Sequence, residues 1–128
     1  MTVPQSIAII GASKDRKKYG NKALRAFVDG GWTVYPVNPQ AEEIEGIPAY
    51  ASIRDVPEPI DRVSMYVPPA TAMEMLDDIA AKKPGEVFFN PGSESEDVLE
   101  AARAKGIKPI VACSVVNIGL RPEMYPDE

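Results

Sequence analysis

The chain has 128 residues, 45% hydrophobic and 26% charged, which predicts one globular domain over residues 1–128. It contains no histidine and a single cysteine, Cys113. That excludes Ser-His-Asp and Cys-His catalysis, a phosphohistidine, an internal disulfide and a tetrahedral zinc site of His and Cys ligands. A net charge of −5 argues against general nucleic-acid binding. No apolar run approaches the ~18 residues that span a bilayer. The expectation is a soluble, cytoplasmic protein with no nucleic-acid or membrane partner and no metal site.

Ser6-Ile7-Ala8-Ile9-Ile10 is a short β-branched run ending at Gly11, which predicts a buried strand. A polar loop follows, then a helix starting at Gly20-Asn21 and running over Lys22 to Asp29 until Gly30-Gly31 stops it. Trp32 to Val37 reads as the second strand, completing a βαβ unit. Downstream, the pattern predicts a short strand near Ile47–Ala49 and a turn capped by Ser52. A strand is expected over Asp61–Val67, stopped by Pro68-Pro69, and a helix over Thr71–Lys82. Next come a strand at Glu86–Phe89, a helix over Glu96–Lys105 capped by Ser93 or Ser95, and a last strand over Ile107–Cys113. The remainder reads as an irregular tail or a short final turn.

Alternating strands and helices predict an α/β, Rossmann-like doubly wound parallel sheet of five main strands, in the order 3-2-1-4-5. In such sheets ligands bind beyond the carboxyl ends of the strands. Those ends read Gly11-Ala12-Ser13, Asn38-Pro39-Gln40, Tyr66-Val67-Pro68-Pro69, Asn90-Pro91-Gly92 and Ala112-Cys113-Ser114. The first loop and its helix also carry Lys14, Arg16, Lys17, Lys18, Lys22 and Arg25 against one acid, Asp15. An acidic chain with one short cationic segment is suited to a small anionic ligand; a solvated basic loop is the plainer reading.

Phosphate fits this loop, but the standard nucleotide fingerprints do not. After Gly11 the next glycine is Gly20, so G-x-G-x-x-G is absent, and Asn38 stands where a ribose-binding acid is expected. No glycine-lysine-serine/threonine triplet marks a P-loop. A glycine at 11 allows a sharp turn and close approach to phosphate, so Gly11→Val is expected to abolish binding at small cost to folding. Ser13 offers both a hydroxyl and an amide to a phosphate.

Gly11-Ala12-Ser13, the run Gly30-Gly31-Trp32-Thr33-Val34-Tyr35-Pro36-Val37-Asn38-Pro39, Gly46-Ile47-Pro48-Ala49-Tyr50 and Tyr66-Val67-Pro68-Pro69 together resemble the CoA-binding domain proteins. These are small Rossmann-like proteins related to the N-terminal domain of succinyl-CoA synthetase α subunits. The resemblance runs from about Ser6 to Gly119. It implies that coenzyme A or an acyl-CoA is bound without catalysis by Gly11, Ala12, Ser13, Lys14, Arg16, Lys18, Tyr19, Asn38, Pro39, Tyr66, Val67, Pro68, Pro69, Asn90, Gly92 and Cys113. Gln40 departs from the lysine common there in the family, and Ala112-Cys113-Ser114 lacks the usual arginine and nearby acid.

The alternatives are a partner subunit of a CoA ligase or transferase, or a nucleotide-dependent enzyme. A homodimer is left open, with Trp32 and Met124 as apolar residues available to cover its contact. Cys113 reads either as a small core hydrophobe or as a thiol within reach of the coenzyme's own thiol. Lys18 and Arg16 are the residues expected to reach a 3′-phosphate.

Overall fold

The first strand, β1 (Ser6–Ile10), is buried along its whole length, and alternate side chains leave it on opposite faces. Ile7 and Ile9 enter one hydrophobic layer, Ala8 and Ile10 the other. A computed structural model describing residues 4–57 and 59–128 shows how the chain is wound around that strand. The five strands β1, β2 (Thr33–Val37), β5 (Arg62–Met65), β6 (Glu86–Phe89) and β7 (Pro109–Val111) are all parallel and lie in the order β2-β1-β5-β6-β7. The antiparallel ribbon β3 (Glu43–Ile44) and β4 (Ile47–Pro48) stands apart, with Glu45 and Gly46 both at positive φ in its two-residue turn.

The α/β class, the parallel pairing and the five main strands are as the sequence predicts. The order differs in one place. Counting only these five, the third strand, β5, pairs with β1 rather than lying outside β2. The reason is local. Pro36 lies in β2 and has no amide to extend the sheet outward, and the chain after β2 turns into the β3–β4 ribbon. Among the described residues, Tyr50 is the one that bonds to the outer edge, donating its N–H to the Pro36 carbonyl and accepting from the Asn38 amide, both at 2.9 Å.

Among the described residues, four helices cover the sheet: α1 (Tyr19–Asp29), α2 (Pro69–Lys82), α3 (Glu96–Ala104) and the single turn α4 (Ser114–Asn117). The sheet face bearing Val63, Met65, Val87 and Phe89 packs on Leu76 and Ile79 of α2 and on Val98 and Leu99 of α3. The opposite face packs on Ala23, Leu24, Ala26 and Phe27 of α1, with Val115 and Tyr125. Pro68-Pro69 begins α2 instead of merely stopping a strand: Pro69 occupies the first helical position, where a missing amide costs nothing. Ser95, not Ser93, caps α3, its Oγ accepting from the Val98 amide at 3.2 Å.

One further expectation is corrected: the last strand is shorter than Ile107–Cys113. Of the two readings of the tail, the short turn holds. The tail residues form α4 and a 3₁₀ turn, Pro122–Met124, that bring Tyr125 into the α1 layer. Within the same layer Arg62 is 5% exposed. Its guanidinium binds Glu86, Ser114 and Asn117 and lies over the rings of Phe88, Trp32 and Phe27 at 4.2, 5.0 and 5.9 Å. Trp32 is thus half-buried against Arg62 and Phe27, while Met124 is exposed.

Candidate functional site

After β2 the chain crosses back to the far side of β1, so strand order reverses between β1 and β5. A crevice beyond the carboxyl ends of those two strands is the expected ligand position in an open parallel sheet. A cleft of about 620 Å³ lies there. Gly11 and Tyr66, the residues that follow β1 and β5, both line it.

Of the residues expected at the site, the cleft gathers Gly11, Lys18, Tyr19, Tyr66, Val67, Pro68, Asn90, Gly92 and Cys113. Gly20, Pro91, Ser93, Val115, Val116, Pro122 and Glu123 complete the wall. Gly20 was expected only as the helix start and Ser93 only as a helix cap; the last four were not expected at the site. The valines, Pro122 and Glu123 lie in the segment read as a tail. The usable signal was Gly119 followed by Pro122, a helix-stop pattern behind Ser114–Asn117.

The remaining expected residues lie outside the lining. Ala12 is buried in the α1 layer, and Lys14 and Pro39 are exposed. Pro69 is occupied in starting α2. Ser13 Oγ accepts from the Asp15 amide at 3.0 Å, closing the loop on itself. Asn38 donates from Nδ2 to the Ala12 carbonyl at 2.8 Å and accepts the Gln40 amide on Oδ1, so its side chain ties two loops together. Arg16 points to Glu45 Oε1, at 3.1 Å, and to the main-chain oxygen of Glu128.

One residue of the cleft, Asn90, and one just behind it, Asn21, are also structural joints. Asn90 is buried; its Nδ2 donates to Ser64 Oγ and the Met65 carbonyl, and its Oδ1 accepts from the Ser114 amide. It therefore fixes the ends of β5 and β6 to the start of α4. Asn21, missed as more than a helix start, donates to the Ser13 carbonyl and to Glu45 and accepts from Arg25. That hydrogen bond to Asn21, with Arg16 nearby, holds the Glu45 carboxyl below the usual carboxylate range.

Gly11 has φ +89°, and an added Cβ would stand 2.5 Å from the Tyr66 carbonyl oxygen. The expectation that Gly11→Val leaves folding nearly intact is therefore corrected: glycine is required here by the neighbouring backbone whether or not a ligand is bound. Helix α1 begins at Tyr19, one residue earlier than expected, with Lys18 as its cap. No side chain caps it and no acid sits in its first turn, so the amides of Tyr19 and Gly20 open toward the cleft with the positive end of the helix dipole. The Lys18 ammonium makes no ion pair among the described residues.

The floor is apolar and sulfur-bearing. Tyr66 Oη is buried with no partner at hydrogen-bond geometry among the described residues, and burial pushes its phenol well above the usual range, against a smaller opposing effect of the nearby Ser64. Cys113, half-buried, caps α4 and borders the same cleft. An anion-accepting rim beside an apolar trough suits a long ligand that is charged at one end. A separate hollow of about 490 Å³ at the opposite sheet edge contains Lys83, Lys105 and Lys108. It lies where α2 and α3 end, and lysines there complement helix carboxyl termini.

The model of the CoA binding domain family matches residues 5–119. An ADP-forming acetate–CoA ligase of Methanocaldococcus jannaschii is 37% identical over 82 residues, covering 64% of this chain and 12% of the ligase. The alpha subunit of ADP-forming acetate–CoA ligase II from Pyrococcus furiosus is 31% identical over 118 residues, covering 84% of this chain and 26% of that subunit. This chain thus spans about a quarter or less of these curated relatives. Among solved structures, a conserved hypothetical protein from Pyrococcus furiosus superposes with a TM-score of 0.82 at 33% identity, covering 88% of this chain and 98% of its own. With the fold, the cleft and the family model in agreement over most of its length, the chain belongs to the CoA binding domain family.

Proposed function

We propose that residues 1–128 form a single domain that binds coenzyme A, or an acyl-CoA, without catalysing a reaction on it, in the cytoplasm. The observation that carries this reading is the position of the cleft at the β1–β5 reversal, in a chain of the CoA binding domain family. In this reading the amides at the start of α1 and the Lys18 ammonium meet the diphosphate or 3′-phosphate. The pantetheine arm lies along Tyr66, Val67 and Pro68, and its thiol end reaches toward Gly92 and Cys113. Seven other expected residues act behind this surface: Asn38 and Ser13 shape the first loop, Ala12 and Pro69 pack it, and Lys14, Arg16 and Pro39 flank it. The absence of histidine from the sequence supports a binding role over phosphoryl relay.

A second reading is favoured by the curated relatives, several of which are ADP-forming acetate–CoA ligases much longer than this chain. Here the domain serves as the CoA-holding partner of a separate ligase subunit. A nucleotide-dependent enzyme is disfavoured, because Asn38 is held by Ala12 and Gln40 and offers no acid to a ribose. The test is native mass spectrometry of the purified protein with calorimetry against CoA, acetyl-CoA and NAD. Retention or micromolar binding of CoA or acetyl-CoA is expected. Binding of NAD in preference to both would overturn the reading.

A further inference from the structure

The family match ends at residue 119, and the nine residues that follow run back across α1. Pro122 and Glu123 form part of the cleft wall. Tyr125 is the anchor: its ring is buried, its Oη donates to Asp29 Oδ2 at 2.9 Å, and the Arg25 guanidinium lies 5.7 Å from the ring centre. At and beyond the anchor, oxygen atoms meet cations. Lys22 Nζ donates to the Tyr125 carbonyl and to Asp127 Oδ1, each at 2.6 Å. Arg25 Nη2 donates to the Pro126 carbonyl at 2.9 Å, and Arg16 Nη1 to the main-chain oxygen of Glu128.

These three cations belong to the same basic segment whose Lys18, Tyr19 and Gly20 border the cleft. Lys18 is the cap of α1 and borders the cleft, and Lys22 stands about one helical turn further along the helix. We propose that the segment after Leu120 is an anionic strap that competes with the ligand's phosphate groups for Lys22 and Arg25. The proposal rests on the reading of the cleft as a CoA site and adds its regulation. The movable part of the strap supplies the Asp127 carboxylate to Lys22 and the Pro126 carbonyl to Arg25 at hydrogen-bond distance, as a phosphate would to the same donors. A ligand whose charged end extends past Lys18 meets cations already occupied. By linkage, docking the strap weakens the ligand and binding the ligand loosens the strap.

The latch is weak enough to be displaced. The Lys22 side chain is only 11% exposed, but that of Asp127 is 61% exposed, so water and salt reach the pair from the carboxylate side and screen it. Tyr125, in contrast, is held by the core, so only residues 126–128 need to move.

The experiment is calorimetry of the full chain with CoA at low ionic strength, comparing wild type, Asp127→Asn and Glu100→Gln. The last removes the same charge from exposed α3. Asp127→Asn should bind CoA about two- to fivefold more tightly, the range of an exposed ion pair, and Glu100→Gln should match wild type. Equal tightening in both variants would mean net charge alone, and no tightening in Asp127→Asn would mean no competition; either overturns the strap while leaving the CoA site standing. If neither wild type nor Asp127→Asn binds CoA, the functional reading falls and the strap with it.

Discussion

The carbonyl oxygen of Gly11 lies 2.3 Å from where a Cβ on Gly20 would stand. The end of β1 and the first turn of α1 therefore meet backbone to backbone, and this contact places the open helix amides over the strand end. Gly20→Ala should destabilise the fold by about 1–3 kcal/mol, the usual cost of overpacking, because the atom it meets is main chain and cannot swing aside. Gly11→Val should be worse, since it adds a branched side chain at positive φ against Tyr66. Urea denaturation should show a lowered midpoint for the first and little folded protein for the second. A Gly20→Ala variant of wild-type stability would mean that α1 can shift away from β1.

Asn90 makes three buried hydrogen bonds through one amide. Asn90→Ala strands the Ser114 amide and removes donors from Met65 and Ser64, and unsatisfied buried groups cost about 1–3 kcal/mol each. A loss of roughly 3 kcal/mol is expected, seen as a lower urea midpoint at unchanged slope. An unchanged midpoint would show that water replaces the amide.

Lys18 and Arg16 should part company on charge reversal. Lys18→Glu places a carboxylate at the cleft rim and should weaken CoA about ten- to hundredfold, given about 1.5–3 kcal/mol per charge-assisted bond. Dephospho-CoA should lose less if the contact is to the 3′-phosphate. Arg16→Glu instead faces Glu45 and should act chiefly on the first loop and the strap. Calorimetry with both ligands separates the two, and equal losses for both variants would place Arg16 at the phosphate after all.

Cys113 borders the cleft, so a thiol arm lying there is within its reach. Incubation with CoA disulfide should give a mixed disulfide: the Cys113 thiolate attacks one sulfur, the S–S bond breaks, and one CoA thiolate leaves. Intact mass should rise by one CoA in wild type and not in Cys113→Ser. No adduct in a protein that binds CoA reversibly would assign Cys113 to packing alone.

The sheet strands and the three long helices were legible because each is a short apolar run or an amphipathic segment with glycine or proline at its ends. The crossing of β5 to β1 was not, because nothing in Arg62–Met65 marks which free edge it takes; that depends on Pro36 and Tyr50 closing the other one. Residues at strand ends could be listed from sequence, and most of those gathered in the cleft were among them. Their roles were less legible. Asn38 and Arg16 look like ligand contacts in sequence, but each is engaged by a residue far along the chain, Ala12 or Glu45 and Glu128. The part of the wall formed by Val115, Val116, Pro122 and Glu123 carries too little periodicity to announce itself.

The stacking of Trp32 on Arg62 turns the chain's single tryptophan into an optical gauge of one layer. Its indole senses a guanidinium fixed by Glu86, Ser114 and Asn117, so its emission reports whether β5, β6 and α4 remain assembled. Trp32 is not among the residues that border the cleft. Fluorescence at this position therefore follows unfolding of the α1 side of the sheet from a residue outside the cleft.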